Sequence, residues 1–204
     1  MTLDAAQLWV QRAGAVALAV ALVAIFLGLA RGLPRQQKAA PGWWPRLLRA
    51  PWFYAVASLG YFGLCYLLWR PLPWPLPASG RTISLLLGSL LYFPGLALLF
   101  WARLTLGTMY FVSSTSVAPL YADHRLITTG PFALVRHPMY LGLLLTCLGG
   151  ILIYWTWAFV FVTTNFSGLI VRARREEEAL AARFGSDWEA YSRRVPAWIP
   201  RLRR

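Results

Sequence analysis

From Met139 to Val171 the chain runs for 33 residues without an Asp, Glu, Lys or Arg. As one helix this run would extend about 50 Å at a rise of 1.5 Å per residue. That is too long for a single crossing of a hydrocarbon core about 30 Å thick. It therefore predicts two shorter helices meeting around Tyr154-Trp155-Thr156-Trp157. Three further apolar stretches precede it: Leu8 to Ala30, Pro51 to Trp69 and Thr82 to Leu104. Pro94 lies inside the last of these, where a kink is expected. Hydrophobic residues make up 58% of the 204-residue chain and charged residues 13%, too little polar surface to coat the core of a small soluble domain. A water-soluble globule and a disordered chain are both excluded. The expected fold is all-α, a polytopic integral membrane protein with about five transmembrane helices. Residues 1–106 would form a three-span region. Residues 107–204 would hold a short helical hairpin and a tail.

Proline and charge set the connections. Pro71, Pro73, Pro75 and Pro77 alternate after Arg70 and cannot continue a helix. Lys and Arg number 20 against seven Asp and Glu, a formal charge of +13. Arg31, Arg35, Lys38, Arg46 and Arg49 gather in the first connection, and the tail is basic from Arg172 to Arg204. Placed between and after apolar segments, these residues fit anionic lipid headgroups better than nucleic acid. The positive-inside rule puts both clusters on the cytoplasmic side of a bacterial or archaeal plasma membrane and the proline-rich loop outside. Five crossings would then leave the N-terminus outside and the C-terminus cytoplasmic. With Asp4 in place of a basic start and no clean cleavage site, the N-terminal segment is expected to be a retained span rather than a leader. Trp43 and Trp44 are expected at headgroup level. Cys65 and Cys147 sit in apolar runs with no metal-binding spacing, so no metal site is expected. Thr108 to Pro131 reads as a connecting loop, placed where it could also contact a ligand.

Two polar segments flank the final apolar run: Gly130-Pro-Phe-Ala-Leu-Val-Arg-His-Pro-Met-Tyr140 and Arg172-Ala-Arg-Arg-Glu-Glu-Glu-Ala-Leu180. A hairpin between them would bring Arg136 and His137 to the Arg172–Glu178 region. Each residue also has a plainer role. Arg136 could reach a lipid phosphate, His137 a local backbone group, and Tyr140 the membrane interface. Glu176 could pair with Arg172 on a solvated helical face. Together, however, basic groups for a carboxylate, carboxylates for an ammonium or ribose hydroxyls, and aromatic faces for a cation suit a small zwitterionic cofactor. No GxGxxG or Walker A segment is present to bind a nucleotide in the usual ways.

The order of several motifs carries a resemblance. Leu126-Ile-Thr-Thr-Gly-Pro-Phe132, Arg136-His137-Pro138-x-Tyr140 and Glu176-Glu177-x-x-Leu180-x-x-x-Phe184-Gly185 are followed by Trp188-x-x-Tyr191-x-x-x-Val195-Pro196 and Ile199-Pro200. From about Gly107 to Pro200 the chain resembles the isoprenylcysteine carboxyl methyltransferase and phospholipid methyltransferase superfamily of integral membrane enzymes. The resemblance implies S-adenosyl-L-methionine as methyl donor, S-adenosyl-L-homocysteine as product and a cofactor pocket near the cytoplasmic face. It assigns cofactor contacts to Arg136, His137, Tyr140, Glu176, Glu177 and Tyr191. It makes Glu177 and His137 the candidate catalytic groups, with Arg174 orienting an acidic acceptor. Phe132 and Trp188 stand where the family often has Tyr, and Pro196-Ala197 where Pro-Arg is frequent. The implied acceptor is lipophilic or membrane-associated, an isoprenylcysteine carboxylate first, with phospholipid amines and small thiols as alternatives. An NADPH-dependent membrane reductase and a non-enzymatic membrane scaffold are the competing classes. No protein partner is implied.

Overall fold

The structure is a computed structural model that describes residues 2–32, 51–107 and 125–200. The first basic connection beyond Gly32, including Trp43 and Trp44, and residues 108–124 lie outside them. Helix α1 spans Leu3–Gly32, α2 Pro51–Leu67, α3 Ala78–Leu106, α4 Pro138–Tyr154, α5 Trp157–Thr164, α6 Phe166–Phe184 and α7 Ser186–Arg194; a 3-10 turn, Gly130–Ala133, precedes α4. Among the described residues every regular element is helical, and Pro71 and Thr156 form one isolated bridge.

The expectation of about five transmembrane helices is overturned. Among the described residues, two helices are long and apolar enough to cross a membrane: α1 over Leu3–Ile25, and α3 over Ala78–Leu106. The reason is where the others stop. Helix α2 ends at Leu67, just before the alternating prolines, and its 17 residues extend only about 26 Å. Helix α4, also 17 residues, ends where Trp155 adopts a left-handed backbone (φ 50°, ψ 48°). The eight residues of α5 extend about 12 Å. An uncharged run gives the length of apolar sequence, not the length of helix. The crossing count that placed the termini on opposite sides falls with the five spans. What stands is an all-α integral membrane protein with two apolar spans among the described residues.

The core is the antiparallel pair α3 and α4. Glycines let the two backbones approach: a Cβ on Gly142 would lie 2.7 Å from the Gly95 carbonyl oxygen, and one on Gly149 would lie 2.5 Å from the Tyr92 nitrogen. Close packing through small residues is what membrane helices use where burial from water no longer drives association. Tyr92, Leu96, Leu99, Ile153 and Phe159 form the buried cluster around this seam. Helix α1 runs beside it, docked where the Tyr92 hydroxyl donates to the Gly14 carbonyl at 3.0 Å. The break at 154–157 is pinned by Leu72 N–H donating to the Trp155 carbonyl and Trp157 N–H to the Arg70 carbonyl. Indole Nε1 of Trp155 also donates to the Trp74 carbonyl at 2.9 Å. At the other end of α4, the chain before Pro138 and the far half of α6 come together.

Candidate functional site

Pro138 occupies the first turn of α4, where a missing N–H costs the helix nothing. Arg136 and His137 therefore stand just outside the helix, and their amides are free for other partners. Arg136 N–H donates to the Pro196 carbonyl at 2.8 Å and His137 N–H to the Ala197 carbonyl at 3.1 Å. The tail after α7 is thereby laid along the segment that begins α4. Gly185 (φ 49°) makes the turn between α6 and α7 in a backbone region open to glycine. That turn lets Trp188, Tyr191 and Val195 fold back as a small buried cluster against Leu126, Leu180 and Phe184.

Glu176 and Glu177 project from α6 toward this junction and take different partners. Arg136 grips Glu177 as a fork, Nε to Oε1 at 2.9 Å and Nη2 to Oε2 at 3.1 Å. Its Nη1 donates to the Ser192 and Val195 carbonyls, both at 2.9 Å. His137 Nε2 lies 2.8 Å from Glu177 Oε1. Tyr140 donates to Glu176 Oε1 at 2.7 Å, and Arg172 Nε donates to the same oxygen at 3.0 Å. Two-pronged guanidinium–carboxylate pairs are among the stronger and more directional contacts available to side chains.

Burial alone would raise the Glu177 carboxyl. The hydrogen bonds from His137 and Arg136, and the Arg136 charge, outweigh it and hold the group below the ordinary carboxylate range. Glu177 is thus an ionised acceptor, and an ionised carboxylate can only accept, so His137 Nε2 carries the proton it shares. Burial raises the Tyr140 phenol, and the adjacent Glu176 carboxylate adds to it. Burial likewise pushes Tyr191 up to about 12; it stays a donor, bonded to the Phe132 carbonyl at 2.8 Å.

Arg136, His137, Tyr140, Glu176 and Glu177 therefore meet in one cluster. Tyr191 supports it from behind by tying α7 to the 3-10 turn. Arg174 is exposed and takes no part in these bonds. The sequence reading missed Trp198, whose ring stacks on His137 at 5.1 Å and on Tyr140 at 6.2 Å. It also missed Phe166, which meets Trp198 edge-on at 5.7 Å. The available signal was an aromatic residue set between Pro196 and Pro200 in an otherwise basic tail. A Trp188 ring 5.7 Å from the Arg136 guanidinium carbon completes the surroundings.

Residues 88–182, which contain this pairing from Arg136 to Glu177, match the isoprenylcysteine carboxyl methyltransferase (ICMT) family. A Protein-S-isoprenylcysteine O-methyltransferase of Schizosaccharomyces pombe is 36% identical over 84 residues, 38% of this chain and 34% of the relative. A Methanethiol S-methyltransferase 2 of Bradyrhizobium diazoefficiens is 34% identical over 77 residues, 35% of this chain and 27% of the relative. The chain thus matches about a third of the length of these curated relatives. The similarity to the isoprenylcysteine carboxyl methyltransferase family thus falls on the region in which the two flanking polar segments close on each other.

Proposed function

We propose that the protein transfers a methyl group from S-adenosyl-L-methionine to a hydrophobic, membrane-associated acceptor. The observation that carries this reading is the joining of Arg136 and His137 to Glu177 at 2.8–3.1 Å inside the family-matched stretch. The chemistry of the residues present fits the cofactor. Arg136 and Arg172 offer charge to a carboxylate, and Glu176 and Glu177 to an ammonium or to ribose hydroxyls. The rings of His137, Tyr140 and Trp198 offer faces to a cationic centre. When bound, the cofactor supplies an electrophilic methyl on a positively charged sulfur.

The residues of this chain then have three tasks. Arg136 fixes Glu177 and the tail in one frame, so the acidic groups are aimed before the cofactor arrives. Glu176 and Glu177 bind and orient it from the α6 side, with Tyr140 and Tyr191 shaping the wall. The apolar end of α4 and the tail limit water around an in-line displacement. A carboxylate acceptor needs no base, and we assign its orientation to Arg174, three residues before Glu177 on α6. A thiol acceptor must lose a proton, and His137 is the group that would take it. The catalytic region is residues 107–204, and its basic tail faces the cytoplasmic leaflet and its anionic lipids.

The acceptor we favour is a prenylated cysteine with a free carboxylate, as the name of the S. pombe relative indicates. The methanethiol-acting relative is the specific reason to keep a small thiol as a second reading. Labelled-methyl transfer, run with a prenylated cysteine and with methanethiol, separates them. An alkali-labile methyl ester in the lipid extract is expected. A labelled thioether would transfer the assignment to thiols, and label in neither product, with folded protein in lipid, would overturn the methyltransferase reading.

A further inference from the structure

His137 is held at several points at once, and one of its constraints comes from a residue outside the recognised motifs. The ring is 7% exposed. Its Nε2 is tied to Glu177 at 2.8 Å, which fixes one atom but leaves the ring free to pivot about it. Tyr140 lies against one region of the ring at 5.6 Å with planes 14° apart, and Trp198 lies against it at 5.1 Å and 27°. Trp198 is itself placed by two main-chain bonds. The Pro196 and Ala197 carbonyls accept from Arg136 and His137 N–H at 2.8 and 3.1 Å, so the residue that follows them falls over the imidazole. Phe166 at the start of α6 backs the indole edge-on at 5.7 Å.

We propose that Trp198 is a positioning residue that locks the His137 ring in the orientation that keeps its Nε2–H on Glu177. Its bearing on cofactor binding rests on the function proposed above; the locking itself does not. A dipeptide, Arg136-His137, thus presents both the side chains that hold Glu177 and the amides that bring their own clamp into place. With Nε2 occupied as a donor, Nδ1 is the ring atom left to accept a hydrogen bond, and a single tautomer is enforced. Phe at position 198 keeps a flat ring of smaller area. Leu keeps apolar bulk without the ring.

The chain has two histidines, His124 and His137, so imidazole nitrogen-15 signals can be assigned with a single His124→Gln variant. In the full-length protein in lipid, His137 is expected to show one tautomer with the proton on Nε2. Trp198→Phe should preserve that signature. Trp198→Leu and Trp198→Ala should each give averaged tautomers, with S-adenosylhomocysteine bound about 3- to 10-fold more weakly, the scale of one aromatic contact. A wild-type signature in Trp198→Leu would overturn the proposal. So would a Trp198→Phe variant as disturbed as Trp198→Leu. If the wild-type protein shows the locked tautomer yet binds no S-adenosylhomocysteine, the locking stands and the methyltransferase reading fails.

Discussion

The two ends of α4 are fastened by different chemistry. At the Pro138 end the holding pairs are ionic, Arg136 on Glu177 and Arg172 on Glu176, with His137 hydrogen-bonded to Glu177. At the Tyr154 end they are neutral. The Tyr154 hydroxyl donates to the Gln11 carbonyl at 2.7 Å, and Gln11 Nε2 returns a bond to the Ile153 carbonyl at 3.0 Å. Ser84 donates to the Leu152 carbonyl at 2.8 Å. Neutral side chain–carbonyl bonds secure helices in an apolar medium without stranding a charge. Ionic pairs at the other end hold the fold in a form that a charged ligand can exchange with. One end of the helix is a fastening; the other is a fastening that the proposed function also makes a binding site.

The sharpest way to break that comparison is to strike the seam both ends share. Gly149→Ala would place a methyl 2.5 Å from the Tyr92 nitrogen and 2.6 Å from the Gly88 carbonyl oxygen. The helices must part, and a loss of about 1–3 kcal/mol is expected, read as lower thermal stability in detergent and weaker cofactor binding together. Next, Glu177→Gln leaves the half-buried Arg136 without its fork. A loss of about 1–3 kcal/mol is expected, here with cofactor affinity falling more than stability does.

A smaller effect separates the ends directly. Tyr154→Phe removes one neutral bond, a cost of about 0.6 kcal/mol, with cofactor affinity unchanged. Acid should then distinguish the two variants. Glu177 is held below its ordinary value, so its pairing stabilises the fold fully above the ordinary carboxylate range. It is lost progressively as pH falls below that range and through the lowered value. The stability gap between wild type and Glu177→Gln should therefore shrink in acid, while the gap for Tyr154→Phe should hold constant. The smallest effect is expected at Arg174. Exposed and outside the cluster, Arg174→Ala should shift stability by less than about 0.5 kcal/mol. Its consequence should be a raised KM for an acidic acceptor alone.

The sequence was most informative where chemistry and connectivity coincide. The uncharged run from Met139 to Val171 called for a break around Tyr154–Trp157, and the chain breaks there. A hairpin was expected to bring Arg136 and His137 to the Arg172–Glu178 region, and they meet at hydrogen-bonding distance. The span count failed because apolarity persists through Leu68 and Trp69 after α2 has ended at Leu67. Likewise, nothing in the composition of residues 139–171 shows that Trp155 turns left-handed and closes α4 at 17 residues. Trp198, marked in the sequence only as an aromatic between Pro196 and Pro200, was missed for another reason. Its place is set by main-chain bonds between Pro196-Ala197 and Arg136-His137, and such bonds do not show which ring the aromatic will cover. That Arg136 would spend its charge on Glu177 was also hidden, since sequence gives proximity and not partner choice.

The most direct measurement is calorimetric binding of S-adenosylhomocysteine to the purified protein in lipid, wild type against Glu177→Gln, with Tyr154→Phe as the variant altered at the other end. Saturable binding to wild type and Tyr154→Phe, weakened about tenfold or more in Glu177→Gln on the scale of a lost charged hydrogen bond, is the expected result. Absence of binding to folded wild-type protein, or equal affinity in all three, would contradict the assignment of the Arg136–His137–Glu177 cluster as the cofactor site.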